Sequence, residues 1–169
     1  MRMFGLVVAP MLLLCSPAPA EPLKAAVFDF ELLDTSLQGE MRGPQADEQR
    51  RLLDITEQLR KGLADAGKFI VLDITPVKAA ARGSNLQACG GCDVQYAQQL
   101  GADIAITGVV QKVSALILNM NVYLRDAHTG QLIKAMSADF RSNTDESWSR
   151  TMSYLLRNRL LAPNYGAPQ

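Results

Sequence analysis

Apolar positions along this chain follow two periods. Lys24 to Phe30, Lys-Ala-Ala-Val-Phe-Asp-Phe, is apolar on both alternating faces, which suits a central strand covered on each side. Asp29 interrupts that run. Residues 31–46 hold Asp34, Thr35, Ser36, Gly39, Gly43 and Pro44 without a usable period, the composition of a surface loop. From Asp47 to Ala66, Leu52, Ile55, Leu59 and Leu63 recur at spacings of three and four. That spacing predicts a helix with one apolar stripe, its remaining surface covered by Glu48, Arg50, Arg51, Glu57, Arg60 and Lys61. Gly67 supplies the stop.

Phe69 to Leu72 predicts a second strand, and Thr75-Pro76 a helix start with Thr75 as N-cap. After a loop over residues 84–92, Asp93 is placed to cap a helix from Val94 to Leu100 that stops at Gly101. Ala102 to Val113 is strand-like and apolar. In the next segment Leu116, Leu118, Met120, Val122 and Leu124 alternate with Ile117, Asn119, Asn121, Tyr123 and Arg125, one face for the core and one mostly wet. Ala127 to Gly130 predicts a turn, and Gln131 to Phe140 an antiparallel partner at one side of the sheet. Asn143 and Glu146 stand at capping-box spacing before a last helix whose buried stripe is Trp148, Met152, Leu155, Leu156 and Leu160. The fold class expected from this order is α/β: a single layered domain with a mixed sheet flanked by helices.

The N-terminus changes the compartment. Arg2, an apolar run from Met3 to Leu14, and Ser16-Pro17-Ala18-Pro19-Ala20 before Glu21 form the pattern of a cleaved secretory signal peptide. Ala18 and Ala20 take the small-residue positions of a cut between Ala20 and Glu21, so residues 1–20 are expected to be removed, leaving one domain over 21–169 with its core at about 24–160. The apolar run is broken by Pro10 and falls short of the roughly twenty residues that span a bilayer. Cys15 is preceded by Leu14, where a lipidation site needs a small residue. The processed chain is therefore expected in the periplasm, with no membrane span. Seventeen basic residues balance seventeen acidic ones and aromatics make up 6%, so no basic field or stacking platform points to nucleic acid.

Chemistry is sparse. In an oxidising compartment Cys89 and Cys92, the only cysteines past the leader, are expected to form a disulfide. Because a helix N-terminus stabilises a thiolate, Cys89-Gly90-Gly91-Cys92 also leaves open a thiol-disulfide exchanger in which one cysteine attacks and the other resolves. The pair lacks flanking Trp or Pro and does not directly follow an apolar strand. His128, the single histidine, lies in a turn. Two cysteines and one histidine barely reach the ligand count for a metal, and a histidine-based triad using Asp29 or Asp73 has little to build on. Asp93 after Cys92 excludes covalent haem, and no phosphate loop or dinucleotide fingerprint is present. No cofactor, metal site or catalytic residue is assigned. Arg141, Arg150, Arg157 and Arg159 make a locally basic face, either plainly solvated or docking an acidic partner. Asn119, Asn121, Tyr123 and Arg125 are the candidate binding face, for a protein partner or a small ligand.

The segments Ala-Val-Phe-Asp-Phe from Ala26, Leu-Ala-Asp-Ala-Gly-Lys-Phe-Ile-Val-Leu-Asp from Leu63, Ala-Gln-Gln-Leu-Gly-Ala-Asp-Ile-Ala-Ile-Thr-Gly from Ala97 and Leu-Arg-Asp-Ala-His-Thr-Gly-Gln-Leu from Leu124 together resemble the N-terminal domain of the TolB type. Similar patterns occur in the curli secretion lipoprotein and the penicillin-binding-protein activator lipoprotein. In detail the chain is similar to a family of small secreted bacterial proteins of unassigned function, for which Asn143-Thr144-Asp145-Glu146-Ser147-Trp148 is a recurring stretch. The resemblance covers residues 24–160. It implies a TolB N-terminal-like fold and a non-catalytic accessory module for a cell-envelope or secreted protein system. The chain lacks the β-propeller of TolB. A thiol oxidoreductase and a small-ligand or metal binder are the alternatives.

Overall fold

In a computed structural model, residues 21–162 are described; the expected leader, Ala20 included, lies outside them. Strand β1 (Leu23–Val27) runs parallel to β3 (Phe69–Val71) on one side and to β4 (Ile104–Ser114) on the other. Its Ala25, Ala26 and Val27 are fully buried, as a strand covered on both faces requires. At the interruption the two phenylalanines part: Phe30 joins the core on one face of the sheet and Phe28 the core on the other. The chain then resumes parallel pairing with the same long neighbour, as β2 (Glu31–Asp34) from Glu31 opposite Val109 to Asp34 opposite Lys112. Close approach at this point requires Gly108, where an added Cβ would sit 2.2 Å from the Phe30 ring.

Residues 31–46 are therefore not the loop expected from composition. Besides β2 they form α1 (Leu37–Arg42), capped by Ser36, whose hydroxyl accepts from Gly39 N–H. Four strand residues are too few to display a period, and α1 buries none of its residues, so it has no apolar stripe to read.

Helix α2 (Ala46–Asp65) lays Leu52, Ile55, Leu59 and Leu63 on the sheet as expected. Further on come α3 (Thr75–Arg82), α4 (Cys92–Gln99), β5 (Ile117–Asp126), β6 (Leu132–Phe140), α5 (Asp145–Leu155) and a π-helical turn at Leu156–Leu160. The sheet order is β3-β1-β4-β5-β6, with β2 beside β4; the β4–β5 and β5–β6 pairs are antiparallel. This is the mixed sheet flanked by helices that the element order implied. Among the described residues no helix is long and apolar enough to cross a membrane.

Two helix-surface assignments need correction. Glu48 and Arg51, expected on the wet side of α2, are 1% and 9% exposed. Both face a polar network that the apolar period cannot reveal. Lys112, fully buried, donates to Glu48 Oε1 at 2.6 Å, Asp34 Oδ2 at 3.0 Å and Gln38 Oε1 at 3.2 Å. Asn143 Nδ2 donates to the same Glu48 oxygen at 2.6 Å, and Asn143 Oδ1 accepts from Trp148 Nε1 at 2.9 Å and from Arg51 at 3.2 Å. Asn143 is thus occupied inside the fold, and the cap of α5 is Thr144, paired reciprocally with Ser147. Likewise Ile74, not Thr75, precedes α3, and Asp73 Oδ1 accepts from Thr75 N–H and hydroxyl.

Candidate functional site

The helices cover the sheet unequally. Helices α2 and α5 shield one face, whereas the core under α3 and α4 reaches only Ala26 and Phe28, Ala105 of β4, and Ala127 after β5. Beyond that core the second face of β5 and β6 is open. Asn119, Asn121, Tyr123 and Arg125 alternate there, half-buried, with the buried Leu118, Met120, Val122 and Leu124, so the four residues singled out in the sequence do share one surface. Asn119 Nδ2 donates to Ser137 Oγ at 2.8 Å and to Asp139 Oδ1 at 2.7 Å, and the Asn121 amide donates to Asn119 Oδ1. The result is a polar ladder across β5 and β6, aligned before any partner arrives.

At one side this face runs into a groove of about 640 Å³, walled by the α3–α4 connection and floored by Glu31, Leu33, Gln111, Tyr123 and Arg125. A neighbouring cavity of about 510 Å³, lined by Asp29, Leu52, Leu53 and Lys78 among others, shares Glu31, Leu32 and Arg82 with it. The carboxylates at the junction behave oppositely. Burial opposes charge on Asp29, but hydrogen bonds from Arg82 and Arg60 and the positive charges of Arg60 and Lys78 hold its carboxyl below the usual range. Arg82 forks onto Asp29 Oδ2 at 3.0 and 2.8 Å, and Arg60 reaches Oδ1 at 2.9 Å. Asp29 therefore clamps α2 and α3 at the break between β1 and β2. For Glu31, burial dominates and raises its carboxyl above the usual range, although the backbone N–H groups of Leu86 and Gln87 bond to it.

Cys89 and Cys92 are joined by a disulfide. Gly90 and Gly91 between them take φ of 69° and 106°, a left-handed conformation that glycine adopts without steric cost. Helix α4 begins at Cys92 with Gly91 as its cap residue, so Asp93 is not the cap. Its carboxylate, 3% exposed, turns inward to Arg125 Nε at 3.3 Å. Through this pair the start of α4, next to the disulfide-closed loop, is tied to Arg125 of the open strand face, which itself borders the groove.

Other candidates stay apart. His128 is exposed on its turn, with Nε2 3.4 Å from Asp103 Oδ1. Asp73 is engaged at the head of α3. Among the described residues no three His, Cys, Asp or Glu side chains are grouped to hold a metal. Sequence reasoning missed Glu31 and Arg82. A carboxylate inside an apolar strand, as at Asp29, was the available signal, because a half-buried charge demands cationic partners.

The fold is shared with solved structures at low identity. The LpoB C-terminal domain from Salmonella enterica is 16% identical over 73% of this chain and 86% of that one, with a TM-score of 0.52. Lipoprotein GNA1162 from Neisseria meningitidis is 14% identical over 84% of this chain and 99% of that one, TM-score 0.51. The PelC dodecamer from Paraburkholderia phytofirmans is 11% identical over 83% and 90%, TM-score 0.50. At these identities the likeness is one of fold. No curated protein matches the chain. A family model does match, over residues 23–160, and the chain belongs to that family, DUF3280, described as a protein of unknown function (DUF2380).

Proposed function

We propose that this protein is a non-catalytic accessory module of the bacterial envelope, acting in the periplasm, that binds a partner protein through the open face of β5 and the groove beside it. The observation that carries the reading is the half-exposed row Asn119, Asn121, Tyr123, left uncovered by the helices and continuous with the groove. Hydrogen-bonding groups flanking an aromatic are the composition of a recognition surface. Support of a weaker kind comes from the shared fold, since one similar structure is described as a lipoprotein and another as a dodecamer.

Photo-crosslinking in intact cells tests it. Benzoylphenylalanine placed at Tyr123 should give a discrete protein adduct that disappears with Asn121→Arg. The same probe at Lys61, exposed on α2, should give none. Equal adducts from both positions, or an adduct from Tyr123 that ignores Asn121→Arg, would refute the reading.

The thiol-exchange alternative is favoured by the placement of the cysteine pair at the head of α4. A reduction potential below about −300 mV would mark a structural bridge. A value between roughly −120 and −230 mV with rapid exchange would move the active site to Cys89 and Cys92.

A further inference from the structure

The cavity of about 510 Å³ beside Asp29 exists because the sheet stops short there. Strand β3 ends at Val71 and pairs only with Leu23 to Ala25 of β1, and β2 pairs with β4 alone. Among the described residues no strand lies on the other edge of β2, so α2 and α3 face each other across a gap. The buried side chains of Phe30, Leu52, Ile74 and Leu86 wall it. An added strand does not suit this gap, because the Phe30 N–H is already bonded to Thr56 Oγ1 of α2 at 3.1 Å. A volume within roughly 300–1,000 Å³, with apolar walls and a few polar groups, is that of a small-ligand site.

Four charged residues line the cavity: Asp29, Glu31, Lys78 and Arg82. Three of them are committed to one another, since Arg82 forks onto Asp29 Oδ2 and Lys78 Nζ stands 3.8 Å from the same oxygen. Arg60 of α2 completes that cluster at Asp29 Oδ1. Glu31 stands apart. Its Oε1 accepts from the Leu86 N–H at 2.9 Å, the Gln87 N–H also bonds to it, and no charged group among the described residues pairs with it. Arg125, the remaining cation of the adjoining groove, is held by Asp93. A carboxylate has about four lone-pair sites, so Glu31 keeps acceptor capacity at the cavity wall. Burial without a counter-charge disfavours its ionised form. A bound cation removes that penalty, whereas an anion would meet Glu31 and compete with Asp29 for Arg82, and a neutral ligand would leave the carboxylate uncompensated.

We propose that this cavity binds a small primary amine with an apolar body, the ammonium group donating to Glu31 and the body lying between α2 and α3. The site is independent of partner binding at the β5 face. The probe is 3-phenylpropylamine, titrated against residues 21–169 by calorimetry and by amide NMR. It should bind one to one with a Kd of about 1 mM or tighter, the range open to a ligand of roughly ten heavy atoms. 3-Phenylpropionate and 3-phenylpropanol, which carry the same ring and spacer, should bind at least tenfold more weakly. Glu31→Gln should weaken the amine at least tenfold with an unchanged far-UV spectrum, and should leave the affinity for the alcohol as it was. Amide shifts should centre on Leu52, Ile74 and Leu86 and spare Asn119 and Asn121. No binding of the amine in the millimolar range, equal binding of all three probes, an amine affinity that ignores Glu31→Gln, or shifts centred on Asn119 and Asn121 would each overturn the proposal.

Discussion

Replacing Lys112 by Met tests the energetic reading of the fold most directly. The substitution keeps most of the apolar stem and removes only the ammonium group, whose three protons are shared among Glu48, Asp34 and Gln38. It leaves Glu48, 1% exposed, with one oxygen held by Asn143 and the other without a partner among the described residues. An uncompensated buried charge of this kind costs about 3–5 kcal/mol. At the size of this domain each kcal/mol moves Tm by roughly 2–4 °C, so the fall should be roughly 6–20 °C. Urea unfolding followed by fluorescence is a suitable assay, because Trp148 is the single Trp and is fully buried. Lys112→Met with Glu48→Gln removes both charges and should recover part of the loss, as a coupling of roughly 0.5–3 kcal/mol. Burial opposes charge on Lys112, but Glu48 and Asp34 outweigh it and raise its pKa above 10.5. Its contribution is therefore complete below pH 10.5 and is lost as pH climbs through the higher folded value, where the gap to Lys112→Met should close. A single-variant cost under about 1 kcal/mol, well below the range for a broken buried pair, or strict additivity in the double variant, would refute the argument.

Other consequences can be measured with the same assay. Burial raises the carboxyl of Glu31 above 4.5, so its charge destabilises the folded state at neutral pH; Glu31→Gln should raise Tm at pH 7, with the advantage vanishing as pH falls below 4.5. Asp29 and Asp34 are held below 3.8 despite burial, by Arg82 and Arg60 in one case and by Ser36 and Lys112 in the other, so their contribution persists above pH 3.8 and is lost as pH falls through the lower folded values. An acid titration whose stability already declined between pH 6 and pH 5 would contradict that assignment. Gly108→Ala should cost about 1–3 kcal/mol by driving a methyl group into the Phe30 ring, and Phe30→Leu in the same chain should relieve part of it; simple addition of the two losses would count against the contact. Cys89→Ser/Cys92→Ser should cost about 2 kcal/mol by the loop-entropy estimate for so short a ring, read as a shift in urea midpoint at constant slope.

How far the sequence disclosed this molecule depended on what each segment packs against. Strand β5 has one core face and one open face, so its period of two is visible and located Asn119, Asn121 and Tyr123 correctly. Strand β4 is buried on both faces from Ile104 to Val110, which erases alternation and hides Lys112 among apolar neighbours. Its partners Asp34 and Glu48 lie 78 and 64 residues away, beyond the reach of any local pattern. The same limit applies to Asn143: its spacing to Glu146 predicts a helix cap, whereas its side chain bonds to Glu48 and to the Trp148 indole. Asn143 and Trp148 therefore serve the packing of the fold. Tyr123 carries no such burden, since the core side of β5 is filled by Leu118, Met120, Val122 and Leu124 and would stay filled whatever stood on the open face, whereas Asn121 is bonded to Asn119 on that face. A small polar residue in place of Tyr123 would leave that core unchanged. On the proposed reading the β5 face serves recognition, whereas the Lys112–Glu48–Asn143 network holds the fold together.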